Sequence, residues 1–170
     1  MSTDLQQRRE ATVREHMDSE NRHDFDATIA TMAHPRYELI PTGDVYDGEE
    51  AVRAYFAETR AGFPDQRNRL LALFHGEDTV VAEFILEGTH AGTLRGLPPT
   101  GKPFTCQMMA AFVFEAGGDR IVCERVYFNP GTILQQLGLA SDPLSVRGRV
   151  ETALAHPLTI VSAFARRAFG

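Results

Sequence analysis

The sequence offers no thiol pair for a metal. Cys106 and Cys123 are the only cysteines in 170 residues, and no Cys-x-x-Cys spacing occurs, so a thiolate zinc site is not expected. No apolar run approaches the roughly 18 residues of a membrane-spanning helix. The N-terminal stretch from Ser2 to Glu10 is polar and has no apolar signal region, which makes a reducing cytoplasm the default expectation. Positive charge is also scarce. The net charge of −6 argues against a nucleic-acid partner. There is no internal repeat and no low-complexity segment.

What is present suits one soluble domain with a real core: 43% hydrophobic and 24% charged residues over this length. Charge is uneven. Residues 141–170 carry Arg147, Arg149, Arg166 and Arg167 against Asp142 and Glu151, a local +2 that leaves −8 on residues 1–140. Asp142-Pro143 opens this last segment and Pro157 interrupts it. Leu158, Val161, Phe164 and Ala165 then form a short apolar stripe. We therefore divide the chain into a domain over 1–140 and a C-terminal helical extension over 141–170.

Within 1–140, helices come first. Residues 3–21 read as a mostly polar helix anchored by Leu5, Val13 and Met17. Asp24 can cap a second helix with Phe25, Ile29 and Met32 at helical spacing, ended by His34-Pro35. Tyr37 to Ile40 is a short strand. Asp47-Gly48-Glu49-Glu50 starts a third helix with Val52, Tyr55 and Phe56 on one side. Strands are predicted at about 68–75, 79–90, 103–115 and 120–129. A short helix with Ile133, Leu134 and Leu137 then stops at Gly138. Helices followed by antiparallel strands make an α+β pattern.

Turn positions give a register. With a tight turn at Ala116 to Asp119, Met109 faces Val126, Ala111 faces Glu124 and Gln107 faces Phe128. With the other turn at Leu97 to Thr100, His90 faces Gln107 and Leu86 faces Ala111. Because strand side chains alternate, Phe84, Leu86, His90, Gln107, Met109, Ala111, Glu124, Val126 and Phe128 share one face, expected to be interior. Glu83, Ile85, Glu87, Met108, Phe112, Cys123, Arg125 and Tyr127 share the outer face, with Glu87 and Arg125 as an ion pair of small weight. An odd shift of either turn would invert a strand. Cys106 and Cys123 do not pair in this register. His16, His75 and His156 are expected to be solvated.

Several motifs resemble one family. They are Asn21-Arg22-His23-Asp24, Phe63-Pro64-Asp65, Gly88-Thr89-His90-x-Gly92, Gly96-Leu97-Pro98-Pro99-Thr100-Gly101-Lys102, and Tyr127-Phe128-Asn129 followed by Gln136-Leu137-Gly138. Together they resemble the SnoaL-like polyketide (ester) cyclases of the nuclear transport factor two-like superfamily, over about residues 10–140. The resemblance implies a cone-shaped fold, in which a curved mixed sheet wraps against helices around a deep pocket. It also implies a site without a cofactor or metal that works by proton transfer. The cyclases of known mechanism use an aspartate on an inner strand. Residues 103–115 have none, and Met109 stands at the matching inward position. The family's terminal Tyr-Phe-Asp is here Tyr127-Phe128-Asn129. The related limonene epoxide hydrolases carry Trp-Arg-Asp-Tyr-Phe where this chain has Glu124-Arg125-Val126-Tyr127-Phe128, so Val126 replaces their aspartate.

Enolate formation needs a base near an acidic C–H and a donor for the developing oxyanion. His90 is the candidate base, Gln107 the donor, and Glu124 a carboxylic acid on an apolar face. Glu124 lies four residues, roughly 13 Å, from Phe128 of the His90 row, so His90 and Glu124 are not a contacting dyad. Partners nearer His90 are sought among His23, Asp24, His34 and Tyr37. Tyr37, Phe84, Met109, Val126, Phe128 and His34 are the expected substrate-binding residues. The leading expectation is a cyclase or isomerase acting on a hydrophobic carbonyl compound. The alternatives are a non-catalytic binder of a hydrophobic small molecule and a bare oligomerisation domain. A homodimer is expected, because the outer face and the last helices expose apolar side chains.

Overall fold

The computed structural model describes residues 3–169. Helix α1 (Thr3–Asn21) is polar except for one buried stripe, Arg9, Val13, His16, Met17 and Glu20, which recurs at helical spacing. Helix α2 (Phe25–Ala30) begins where the Asp24 side chain accepts the Ala27 N–H at 3.1 Å. After strands β1 (Arg36–Leu39) and β2 (Asp44–Asp47), helix α3 (Glu49–Gly62) buries Val52 and Phe56. Strands β3 (Arg67–His75), β4 (Thr79–Thr89), β5 (Pro103–Phe114) and β6 (Ile121–Tyr127) follow, then helices α4 (Pro130–Gln136), α5 (Val146–Ala155) and α6 (Pro157–Phe169).

The six strands form one sheet in the order β2-β1-β6-β5-β4-β3. The β1–β6 pairing is parallel and the other four are antiparallel. The sheet is curved and stays open, with β2 and β3 at its edges. Helix α1 packs on α2, β3 and β4, while α3 packs on β1 and β2, so the helices cover the concave face. This is the mixed α+β architecture expected from the element order.

Both expected registers are corrected. The tight turn between β4 and β5 is Leu94-Arg95-Gly96-Leu97, closed by reciprocal bonds between Leu94 and Leu97. Arg95 (φ 46°) and Gly96 (φ 82°) supply the two positive-φ residues of a mirror-image hairpin turn. The Pro-Pro segment that follows is loop. The turn lies three residues upstream, and the returning arm Pro98–Gly101 is one residue longer than the outgoing arm Ala91–Thr93, which together place Ile85, not His90, opposite Gln107. Between β5 and β6, Phe114 pairs with Ile121 as expected. Val122 is then an extra residue, and Val113 pairs with Cys123, Phe112 with Glu124 and Met109 with Tyr127.

Both changes are odd, so β5 is inverted. Phe104, Cys106, Met108, Ala110, Phe112 and Phe114 point inward, whereas Met109 is 43% exposed. Gln107 is also exposed and donates to Glu83. Faces on β4 and β6 stand as expected, with Phe84, Glu124 and Val126 buried. On the outer face Arg125 pairs with Glu38 at 3.0 Å across the parallel β1–β6 seam, rather than with Glu87. Cys106 and Cys123 are buried free thiols.

Helices α5 and α6 pack on each other and leave Leu144, Leu154, Leu158 and Phe164 exposed. No helix among the described residues is long and apolar enough to cross a membrane.

A fully buried arginine ties the helical layer to the sheet. Arg9 Nε donates to the Gly118 carbonyl at 2.7 Å, and its terminal nitrogens donate to Glu77 O at 2.6 Å, Asp78 Oδ1 at 3.0 Å and Glu115 O at 3.1 Å. One side chain thereby fixes the β3–β4 and β5–β6 turns against α1. Removing it strands several acceptors at the base of the core. Arg9→Leu should lower stability by about 3 kcal/mol, measured as a fall in urea midpoint with an unchanged m-value.

Candidate functional site

Three buried stripes meet under the concave face. Helix α1 brings His16 and Glu20, one turn apart; β1 brings Tyr37; and β6 brings Glu124, the register neighbour of Tyr37. Tyr37 is 2%, Glu124 5%, Glu20 9% and His16 0% exposed, so an ionic group is sealed inside an apolar core. Tyr37 Oη donates to Glu20 Oε1 at 3.0 Å, and Asn68 Nδ2 donates to Glu20 Oε2 at 2.7 Å. His16 Nε2 lies 2.6 Å from Tyr37 Oη and 3.1 Å from Glu124 Oε2. The latter contact is off the hydrogen-bond axis and acts through charge.

The hydrogen-bond directions fix the state of His16. Thr31 Oγ1 donates to the Thr28 carbonyl at 2.6 Å, so it accepts from His16 Nδ1 at 2.7 Å. Tyr37 gives its hydroxyl proton to Glu20, so it accepts from His16 Nε2. Both ring nitrogens therefore carry hydrogen, and His16 is an imidazolium. Burial works against that charge, but the Glu124 carboxylate 3.1 Å away, with Glu20 behind it, prevails and holds His16 above its ordinary 6.5. Glu20 is held above the usual carboxylate range, first by burial and then by the charge of Glu124. The Tyr37 hydroxyl is pushed well above its usual range, again chiefly by burial and then by the two carboxylates. The ligand atoms of His16, Glu20 and Glu124 all lie within 4.8 Å of one another, close enough for a metal. As hydrogen-bonded here, His16 has no free lone pair to offer one.

Glu20, Tyr37 and Glu124 line an inner cavity of about 40 Å³, together with Tyr55, Phe84, Leu86, Met108, Phe112, Val126 and others. That volume holds a water or two, or one small functional group. A larger outer cavity of about 360 Å³ lies between α3, α4 and the β4–β5 loop, lined by Leu39, Phe63, His90, Leu94, Phe128, Ile133, Leu137 and Leu139 among others. Tyr55, Thr59 and Gln66 belong to both walls.

The motifs of the sequence turn out to be the joints of this outer cavity. Asp65 of Phe63-Pro64-Asp65 accepts both the Thr89 N–H and its hydroxyl at 2.7 Å. Ala91 and Gly92 N–H both donate to Gly62 O at 3.1 Å. Gly92 is obligatory there, since a Cβ would stand 1.9 Å from the Ala61 carbonyl oxygen. Gln136 brackets the free end of β5 through Thr105, accepting its N–H at 2.9 Å and donating to its carbonyl at 2.8 Å. Asn129 caps α4 by accepting the Gly131 N–H at 2.9 Å, a task asparagine performs as well as aspartate.

Of the residues proposed from sequence, Glu124, Tyr37, Phe84 and Val126 meet at the inner cavity, and His90 and Phe128 at the outer one. Gln107 and Met109 do not, because β5 is inverted. His34 is exposed and pairs with Asp47 at 2.6 Å, outside both cavities. His16, expected in solvent, is fully buried, and Glu20 was not considered. Their signal was available: positions 13, 16, 17 and 20 form one helical stripe with the anchors Val13 and Met17.

The charge state of His16 is open to measurement. Its raised folded-state pKa means that its stabilising contribution is complete below pH 6.5 and is lost as pH rises through the folded value. The stability difference between wild type and His16→Gln should therefore shrink above pH 6.5. The ring signals of His16 in NMR should titrate at a midpoint above that of a free histidine; a midpoint below 6.5 would contradict the imidazolium.

A family model for SnoaL-like polyketide cyclases matches residues 10–137. No curated protein matches in sequence. Among solved structures, a candidate polyketide cyclase from Xanthomonas campestris superposes with a TM-score of 0.71 at 22% identity, covering 78% of this chain and 98% of the other. A candidate SnoaL-like polyketide cyclase from Jannaschia sp. CCS1 gives 0.70 at 20% identity, covering 80% and 94%. IdmH of Streptomyces antibioticus, also a candidate polyketide cyclase, gives 0.66 at 25% identity, covering 76% and 98%. With three quarters of its length matched by that family, the chain belongs to the SnoaL-like polyketide cyclases.

Proposed function

We propose that this chain is a cofactor-independent cyclase or isomerase that moves protons on a hydrophobic carbonyl compound. The observation that carries the reading is the buried Glu20–Glu124 pair facing a small cavity beneath a larger apolar one. Two carboxylates in one dry site take different roles, one as the base and one as the partner of the donating hydroxyl. Glu124, held beside the His16 imidazolium, is the base that takes a proton from the carbon next to a carbonyl. The Tyr37 hydroxyl turns from Glu20 to donate toward the carbonyl oxygen as the enolate forms, with Glu20 holding it in place until then. The enolate carbon then attacks a second carbonyl, which closes a ring, or is reprotonated, which completes an isomerisation. This pair takes the place of the aspartate that strand β5 lacks.

The apolar lining of the outer cavity favours a second reading, a binder that retains a hydrophobic ligand without converting it. Turnover separates the two. With polyketide methyl esters as substrates and product detected by mass spectrometry, Glu124→Gln should lower turnover at least about a hundredfold while binding of the ester persists. Absence of conversion by wild type with intact binding would establish the binder.

We also propose a homodimer formed through the convex face of the sheet, where Phe74 (52% exposed), Met109 (43%) and Tyr127 (46%) stand out, with Val81 beside Phe74 and Ile85 on the same face. Exposed apolar patches of this kind mark contacts. Residues 1–140 and the extension 141–170 are proposed as separate units. Light scattering at micromolar concentration should give twice the chain mass of 18.8 kDa, and Met109→Glu with Tyr127→Glu should return it to the single-chain value.

A further inference from the structure

One buried polar atom at the outer cavity has no partner among the described residues. His90 is completely buried and lines that cavity, its ring packed 5.3 Å from the ring of Phe63. Its Nδ1 faces the loop that follows the tight turn. The Thr100 backbone N–H donates to it at 3.3 Å, and Thr100 Oγ1 lies at 3.2 Å. A backbone N–H can only donate, so Nδ1 carries the lone pair. The hydroxyl agrees, because Thr100 Oγ1 accepts the Lys102 N–H at 3.4 Å and is left to donate toward His90. The hydrogen of a neutral ring is then on Nε2, and Nε2 is buried without any acceptor. Leaving such a donor dry is costly, and a base is what this tautomer cannot be. Serving as a base at Nε2 would require a hydrogen on Nδ1, directed at the Thr100 N–H.

We propose that the Nε2–H of His90 is a specificity-determining donor that seats an acceptor oxygen of a hydrophobic ligand in the outer cavity, apart from the Glu20–Glu124 pair. Most other polar groups on that wall are already engaged, and Tyr55 and Gln66, which line it too, are shared with the inner cavity. Arg95 is bound to Asp44, Glu58 and Tyr46, Thr42 to Asp44, and Thr59 to the Tyr55 carbonyl. The matching ligand is an apolar, oxygenated molecule with a carbonyl, ether or hydroxyl oxygen held at His90. Its reacting carbonyl is a second oxygen function, at the inner pair. Only that second placement rests on the function proposed above.

The test uses two probes of one shape, 2-acetylnaphthalene and 2-isopropenylnaphthalene, which differ in having or lacking the acceptor oxygen. Binding to the full-length protein is followed by fluorescence and calorimetry. Wild type should prefer the ketone about tenfold beyond the difference in their partitioning from water into hydrocarbon. His90→Asn keeps an acceptor where Nδ1 meets the Thr100 N–H but removes the donor, and should abolish the preference. His90→Gln places an amide N–H near the Nε2 position and should restore much of it. Glu124→Gln should keep the preference while losing turnover, so failure at His90 and failure of the catalytic reading give different patterns. Long-range proton–nitrogen NMR should show hydrogen on Nε2 and none on Nδ1. A ring protonated on Nδ1, or an undiminished preference in folded His90→Asn, overturns the proposal. So does a preference lost in Glu124→Gln.

Discussion

The ionic cluster around His16 is the constraint to which the rest of the site answers. An imidazolium and two carboxylates cannot be taken out of water singly without a prohibitive cost. They are tolerated because each compensates another and nearly every remaining polar atom finds a partner: Thr31 for Nδ1, Tyr37 for Nε2, Asn68 for Glu20. The cluster draws on α1, β1, β3 and β6. Those elements must keep their spacing for the charges to stay matched. Asn21, which brackets Asn68 through its backbone N–H and carbonyl at 2.6 and 2.8 Å, makes that spacing rigid. The same cluster serves chemistry because its compensation is incomplete on one side, where Glu20 and Glu124 face a cavity rather than protein.

The interior thus has two zones of different character. Near the helices it is charged, nearly closed and scarcely larger than a water. Toward the β4–β5 loop and α4 it is wider and mostly apolar, with Arg95, Asp44 and Glu58 neutralised by one another. A hydrophobic molecule gains affinity mainly from the outer zone. It meets strong fields only where its reactive end reaches the inner one. Such an arrangement separates binding from chemistry, so outer-wall residues can change with the ligand while the four-residue cluster remains.

Much of this was legible in the sequence, and the failures have definite causes. Element order, helix caps, the family motifs and the inward placement of Glu124, Val126 and Phe84 all follow from local rules. Arg95-Gly96 supplies the tight turn, but the inversion of β5 comes from the unequal arms beside it, where Pro98–Gly101 holds one residue more than Ala91–Thr93 and no turn motif announces the difference. The alternation Phe104, Cys106, Met108, Ala110, Phe112, Phe114 against Thr105, Gln107 and Met109 carried the right answer without any turn. His16 was set aside because histidine on a polar helix usually faces water. Its stripe with Val13, Met17 and Glu20 was the better guide. The bulge at Val122 had no local signature, since it is resolved only by pairing with a strand whose own position is set from the other side.

That bulge has a consequence for how such a site changes over time. With β5 pinned by β4, closing the bulge so that Val122 pairs with Val113 would slide β6 by one residue and turn Cys123 and Arg125 inward in place of Glu124 and Val126. The carboxylate reaches the interior through residue count rather than through any affinity for its neighbours. A lineage built on this sheet can therefore exchange its whole set of inward groups on one strand by opening or closing one bulge, with no substitution at the positions concerned. An acid can vanish from one strand and reappear on another while the scaffold around it looks unchanged.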